Sequence, residues 1–380
     1  MSVSRRSFLW SVGAGSAALA LPWVTARGHE AAVAEPSLGR RTPPLRITDI
    51  RLDSNENPYG PAAEALEAVK GMFTEACRYP DLHNERLIEA IAAHLKVPKD
   101  HLLQGSGSGE ILRLAVDAFA SPTRGLVTAS PTFELPADRA KALGFPVKAV
   151  PVTAALELDL EGMAAKAGAA GLVFLCNPNN PTGTVYGEQA LREVIDNILR
   201  SSEAVILVDE AYHEYVEDPS YRSFIPLALQ EPRVVVSRTF SKVYGMAGLR
   251  VGFAVARPET IKRLAANILP NNVNVLAAAA AWTSMSVPGH AGRQRAKNTE
   301  TREFTRKSLE SAGYTVVPSQ TNFLMVDIRR DVKAFREACR AKGILVGRPF
   351  PPLDTHARIS IGTMDEMRTA TAVFADVLRT

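Results

Sequence analysis

Lys242 ends the run Ser237-Arg238-Thr239-Phe240-Ser241-Lys242, and Arg250 follows eight residues later, across the turn Tyr244-Gly-Met-Ala-Gly-Leu-Arg250. A lysine amine condenses with an aldehyde cofactor when its pKa is lowered. An arginine flanked by hydroxyls suits the phosphate of such a cofactor. Taken alone, the lysine could equally be a surface residue after a strand. Two motifs upstream weigh against that alternative. Asn177-Pro178-Asn179-Asn180-Pro181-Thr182-Gly183 is a turn whose repeated asparagines exceed what a turn needs. A side-chain amide there could donate to a ring oxygen. In Val205-Ile206-Leu207-Val208-Asp209-Glu210-Ala211-Tyr212, a carboxylate closes an apolar strand. Asp209 could pair with a protonated pyridine nitrogen and keep the ring an electron sink; metal binding or helix capping are its alternatives.

The elements that must carry these groups follow from the pattern around them. Leu172–Cys176 and Val205–Val208 are apolar throughout, as expected of strands buried on both faces of a parallel sheet. Groups at the C-terminal ends of such strands are where open α/β sheets bind ligands. Strands and helices alternate from His101 to Ser237, which predicts a mostly parallel sheet sandwiched by helices. Helices are expected from Ala62 to Phe73 and from Asp81 to Leu95. After about Asn272 a long helical region leads into a smaller α+β part, with strands at Tyr314–Val317, Phe323–Val326, Ile344–Val346 and Ala357–Ile361. Gly105-Ser106-Gly107-Ser108-Gly109 sits between a strand and a helix, where helix N–H groups face an anion. Its spacing is not Gly-x-Gly-x-x-Gly, which favours a phosphate cradle over a dinucleotide loop.

Asn180, Asp209, Lys242 and Arg250, in that order, resemble the fold-type I pyridoxal-phosphate enzymes and, more narrowly, the class I/II aminotransferases. The nearest branch is that of the histidinol-phosphate aminotransferases, and the resemblance runs from about Leu52 to the end. Asp53-Ser54-Asn55-Glu56-Asn57-Pro58, Arg78-Tyr79-Pro80, Thr321-Asn322-Phe323 and Arg358-Ile359-Ser360-Ile361-Gly362 support it. The resemblance implies an α/β fold-type I architecture, pyridoxal 5'-phosphate as cofactor and a homodimer. It assigns Lys242, Asp209 and Tyr212 to catalysis, with Lys242 holding the cofactor and then moving the α-proton. Asn180 and Tyr212 would hydrogen-bond the ring oxygen and Phe133 would stack on the ring, in a place where the family often has tyrosine. Gly107, Ser108, Thr239, Ser241 and Arg250 would bind the phosphate, with Tyr79 reaching it from the neighbouring subunit. Arg358, with Asn322 assisting, would take the substrate carboxylate or phosphate.

One departure bears on the substrate. The biosynthetic branch usually carries an arginine directly after the Gly-Ile-x-Val strand. Here Gly343-Ile344-Leu345-Val346 is followed by Gly347-Arg348-Pro349-Phe350, which displaces the arginine by one residue. The displacement argues against histidinol phosphate and points to another amino acid or amine, with Arg348 or Phe350 expected to line its pocket. A decarboxylase of a phosphorylated amino acid shares these motifs, and a non-catalytic cofactor-binding protein is a further alternative.

The 380 residues suffice for two domains, and the net charge of +4 with no basic aromatic tract gives nucleic-acid binding no support. The three cysteines are far apart and suggest neither disulfide nor metal. Ser4-Arg5-Arg6-Ser7-Phe8-Leu9, a moderately apolar stretch and Ala32-Val33-Ala34 read as a twin-arginine export signal over residues 1–34, with no stable membrane span after cleavage. The expected organisation is then a linker over 35–50, a segment over 51–75 packing with the small domain, a cofactor domain over 76–272 and the small domain over 273–380. Such a signal places the mature protein in the periplasm or outside the cell; without export it is cytoplasmic.

Overall fold

The computed structural model describes residues 49–379. The twin-arginine run, the cleavage site and the linker up to residue 48 lie outside the described residues. In chain order the strands are β1 (Ile50–Leu52), β2 (Leu102–Gly105), β3 (Leu126–Ser130), β4 (Val147–Pro151), β5 (Leu172–Cys176), β6 (Val205–Asp209), β7 (Val234–Thr239), β8 (Gly252–Val255), β9 (Thr315–Val316), β10 (Phe323–Asp327), β11 (Ile344–Val346) and β12 (His356–Ser360). The helices are α1 (Ala63–Gly71), α2 (Asp81–Leu95), α3 (Ser108–Phe119), α4 (Leu135–Ala142), α5 (Leu160–Lys166), α6 (Glu188–Ser201), α7 (Ile225–Ala228), α8 (Pro258–Ala265), α9 (Val275–Ser286), α10 (His290–Ser311), α11 (Val332–Ala341) and α12 (Met364–Arg379). Ile50, expected in the linker, opens β1, because it pairs in parallel with Ile344 of β11.

A seven-stranded sheet in the order β2-β8-β7-β6-β5-β3-β4 forms the frame. It is parallel from β7 to β4, and β8 runs antiparallel between β2 and β7. The strands are apolar on both faces because both faces are covered. Val205 and Leu207 pack with Leu126, Phe174, Val235 and the α3 side chains Ile111 and Leu112. The alternating Ile206 and Val208 pack on the opposite face with Leu191, Ile195 and Ile198 of α6. The two-residue period of the strand thus sorts its side chains between two helical layers. Alanines 277, 278, 280 and 281 of α9 belong to this second layer.

A separate core joins the antiparallel sheet β12-β10-β9 to the β1–β11 pair. Leu52, Leu324, Ile344, Ile359, Phe335 and Phe374 are its centre, with α11 and α12 packed on it. No helix among the described residues is long and apolar enough to cross a membrane.

Candidate functional site

The parallel strands β3, β5, β6 and β7 end on one edge, and the residues singled out in the sequence sit there. Asp209 is the last residue of β6 and pairs in register with Ser237 of β7. Asp209 is 3% exposed, and the Ser237 hydroxyl donates to its Oδ1 at 2.5 Å. Burial raises its pKa to about 6, against the pull of that hydrogen bond and of nearby Lys242. Among the described residues Asp209 makes no ion pair, and no cluster of metal-ligating side chains occurs. The asparagine turn is tied to this strand end, since Asn177 N donates to Asp209 O at 3.0 Å. Thr132 in turn donates to Asn179 at 2.6 Å, which brings the Phe133 loop alongside; Phe133 itself keeps an exposed face.

Lys242 lies partly buried, and its Nζ donates to Asn55 O at 3.1 Å. Its pKa is lowered to about 8, first by burial and then by the charge of Arg358. A buried ammonium is disfavoured in this way, and neutral amine is the nucleophilic form. Tyr212 stands 5.5 Å from Nζ, measured to the ring centroid, and its hydroxyl accepts from Asn55 Nδ2 at 3.0 Å. Burial pushes the Tyr212 phenol up.

Asn55 is the hub that the sequence reading missed. It is 1% exposed with φ 53°, and it accepts from Lys242 and from Asn322 Nδ2 (3.0 Å) through its carbonyl and from Ser360 through its side chain. The signal was there: a small amide tolerant of left-handed backbone, just before an Asn-Pro turn. These bonds join the N-terminal segment, the lysine and the small sheet at one point.

Gly107 caps α3 with φ 77°. A Cβ on it would fall 2.2 Å from Arg250 Nη2. Arg250 reaches this spot from a left-handed backbone (φ 62°) and donates through Nη1 to Ser241 Oγ at 3.2 Å. Thr239 Oγ1 donates to the same Ser241 Oγ at 2.9 Å. Gly252 allows the N-terminus of α3 to close in, because a Cβ there would meet Ser108 N at 2.3 Å. A helix N-terminus, a guanidinium and two hydroxyls therefore converge on one spot, an arrangement suited to a phosphate.

Arg358, on β12, is 8% exposed. It donates to Asn180 Oδ1 and to Asp53 O, both at 2.7 Å, while its Nε finds no protein partner. Burial lowers its pKa to about 10. Its guanidinium lies 4.8 Å from the Phe350 ring centroid, and Arg348 lies 4.3 Å from the same ring. Arg348 is exposed and ion-paired with Glu134 at the edge of the site. Of the predicted residues only Tyr79 stands apart, at 82% exposed.

A lysine of lowered pKa, a buried unpaired carboxylate and a phosphate cradle, set at the ends of parallel strands, define a fold-type I transferase of the pyridoxal-phosphate class. The family model for aminotransferase class I and II matches residues 47–374. A histidinol-phosphate aminotransferase of Moorella thermoacetica is 38% identical over 333 residues, covering 87% of this chain and 85% of the relative. An aromatic amino acid aminotransferase of Thermobifida fusca is 36% identical over 318 residues, covering 83% and 87%. The crystal structure of histidinol-phosphate aminotransferase from Sinorhizobium meliloti, in complex with pyridoxal-5'-phosphate, superposes with a TM-score of 0.81 at 26% identity, covering 87% of this chain and 91% of that one. The chain belongs to the aminotransferase class I and II family, and it is a transaminase.

Proposed function

We propose that Lys242 carries amino-group transfer between an amino acid and a 2-oxo acid, with Asp209, Asn180, Tyr212 and Arg358 arranged around it. Pyridoxal 5'-phosphate is the cofactor; when bound it supplies an electrophilic aldehyde and an electron-accepting ring. The observation that carries the reading is the convergence of Lys242, the buried Asp209 and the Gly107–Ser241–Arg250 cradle. The residues fit the group: the cradle is open only because Gly107 lacks a Cβ, and Asp209 is a buried carboxylate without a cationic partner among the described residues. Gly107, Ser108, Thr239, Ser241 and Arg250 would hold the phosphate. Asp209 would keep the ring nitrogen protonated. The Asn180 amide and the Tyr212 hydroxyl would face the ring oxygen, and Phe133 would cover the ring.

Lys242, with a pKa near 8, is partly neutral at physiological pH and can take and return a proton at the substrate α-carbon. Arg358, held by Asn180 and Asp53, presents its guanidinium to the substrate carboxylate or phosphate, with Asn322 supporting the Asn55 carbonyl beside it. Histidinol phosphate and aromatic amino acids, the substrates that the relatives' names carry, are the two candidate amino donors. Arg348 then reads an anionic group on the donor. Replacing Arg348 with alanine tests this: it should weaken histidinol phosphate and spare aromatic donors, and unchanged kinetics for every donor would refute it.

The active enzyme in this proposal is a homodimer, with the exposed Tyr79 delivering its hydroxyl to the partner's cofactor phosphate. Sedimentation of the native protein tests the dimer, and weaker binding of pyridoxal 5'-phosphate by Tyr79→Phe tests the role of its hydroxyl. A cofactor domain over 76–272 and a small domain over 273–380 are part of this proposal, with α9 packed on the large-sheet side of that boundary. Arg5-Arg6 directs export, which N-terminal sequencing of periplasmic material from the native host checks; recovery of intact chain from cytoplasm alone refutes it.

A further inference from the structure

We infer that Ser237 is a positioning residue for the cofactor ring, acting through Asp209. The inference rests on the reading that Asp209 faces the ring nitrogen. β7 runs Val234-Val235-Val236-Ser237, so Ser237 is a hydroxyl at the end of a valine strand, and it is 0% exposed. Val235 packs in the α3-side core with Val205 and Leu207. Two residues further along each strand, Ser237 and Asp209 continue that row side by side, as the two-residue period requires. A valine would fill this place as well for packing alone. A serine there is buried at a cost unless its hydroxyl is used.

It is used on one group. The hydroxyl donates to Asp209 Oδ1 at 2.5 Å, and among the described residues this is the hydrogen bond that the carboxylate receives. The rest of the surroundings gives little help to a charge. Cys176, the register partner of Asp209 on β5, has a thiol pushed up by burial. Glu210, next in the chain, repels a second negative charge, while Lys242 attracts it. Tyr212 and Tyr221 also lie near enough to feel Asp209, and both phenols are kept protonated by burial. A donated hydrogen bond favours the ionised carboxylate. Because it engages Oδ1, it also fixes the rotation of the carboxylate and leaves Oδ2 to the ring nitrogen.

The test compares two variants of equal shape. Ser237→Thr keeps the hydroxyl; Ser237→Val replaces it with a methyl and matches its neighbours along the strand. Apo-protein is titrated with pyridoxal 5'-phosphate by absorbance, and the spectrum of the bound cofactor is followed from pH 5 to 9. Ser237→Val should bind the cofactor roughly tenfold more weakly, the loss of one hydrogen bond to a charged group, and should shift the pH dependence of its spectrum. Ser237→Thr should restore both. Equal affinities and superimposable pH profiles for the two variants would overturn the inference. Asp209→Asn run in parallel separates the failures: if it too leaves affinity and spectrum unchanged, the placement of Asp209 on the ring nitrogen is wrong; if only Asp209→Asn acts, Ser237 alone is misassigned. Melting temperatures of the two apo-variants report whether either fails to fold.

Discussion

Gly107→Ala separates a cradle from an ordinary glycine turn. The added Cβ would lie 2.2 Å from Arg250 Nη2 and 2.8 Å from Cζ. Both atoms belong to the end of a flexible side chain, so the fold relieves the clash by swinging the guanidinium aside. That movement costs the fold little, but it removes the cation from the place where the phosphate sits. A hydrogen bond to a charged group contributes about 1.5–3 kcal/mol. Losing one therefore weakens cofactor binding roughly ten- to hundredfold. The substitution also places alanine at φ 77°, a conformation that costs about 1–2 kcal/mol for a residue with a Cβ. Gly144→Ala is the control: its φ is 72°, and nothing lies within 4 Å of its Cβ. The assay is titration of apo-protein with pyridoxal 5'-phosphate, alongside thermal unfolding. Both variants should melt lower, and only Gly107→Ala should bind the cofactor more weakly. Equal affinity for Gly107→Ala and the parent protein would refute the cradle.

Three further outcomes follow from the same geometry. Lys242 titrates near 8 in the fold against 10.5 for an ordinary lysine, so the rate of cofactor capture by apo-protein should rise as pH passes about 8 and then level off. The lowered pKa also means that the unfolded chain binds the extra proton between about 8 and 10.5, so this residue's contribution to stability increases with pH across that window, and denaturant midpoints of apo-protein against those of Lys242→Met check it. Arg358→Lys keeps the charge but loses the fork that bonds Asn180 and Asp53 together; KM for the amino donor should rise on the order of tenfold or more while cofactor affinity holds, as steady-state kinetics would report.

Much of the site could be read from the sequence because its parts sit at strand ends. Asp209, Asn180 and Lys242 each follow an apolar run, and a run buried on both faces tells where the chain leaves the sheet. The meeting of Gly107 and Arg250 was legible for a related reason: they are residue types that anion binding needs. What was not legible is how distant segments meet. Asn55 joins Lys242, Tyr212, Asn322 and Ser360 across more than a hundred residues, and no local pattern encodes those partners. Glu134, the partner of Arg348, belongs to a loop that carries no charge motif. The short edge strand β4, half exposed, lacks the continuous apolar run that marked β5 and β6. Antiparallel β8 follows the Arg250 turn closely and has only 4 residues, too short a run to mark itself as a strand. The packing of α9 on the large sheet rests on alanines, whose uniform run has little amphipathic contrast to show which core it joins.

The most direct test of the central claim is a half-reaction screen. Protein loaded with pyridoxal 5'-phosphate is mixed with single amino donors, histidinol phosphate and aromatic amino acids among them, without acceptor. The bound cofactor's absorbance and the released products are followed together. Amino-group transfer through Lys242 predicts one equivalent of oxo product per site, a matching loss of the aldehyde absorbance and no CO₂, with Lys242→Ala inert. Release of CO₂ in place of an oxo product, or full turnover by Lys242→Ala, would contradict it.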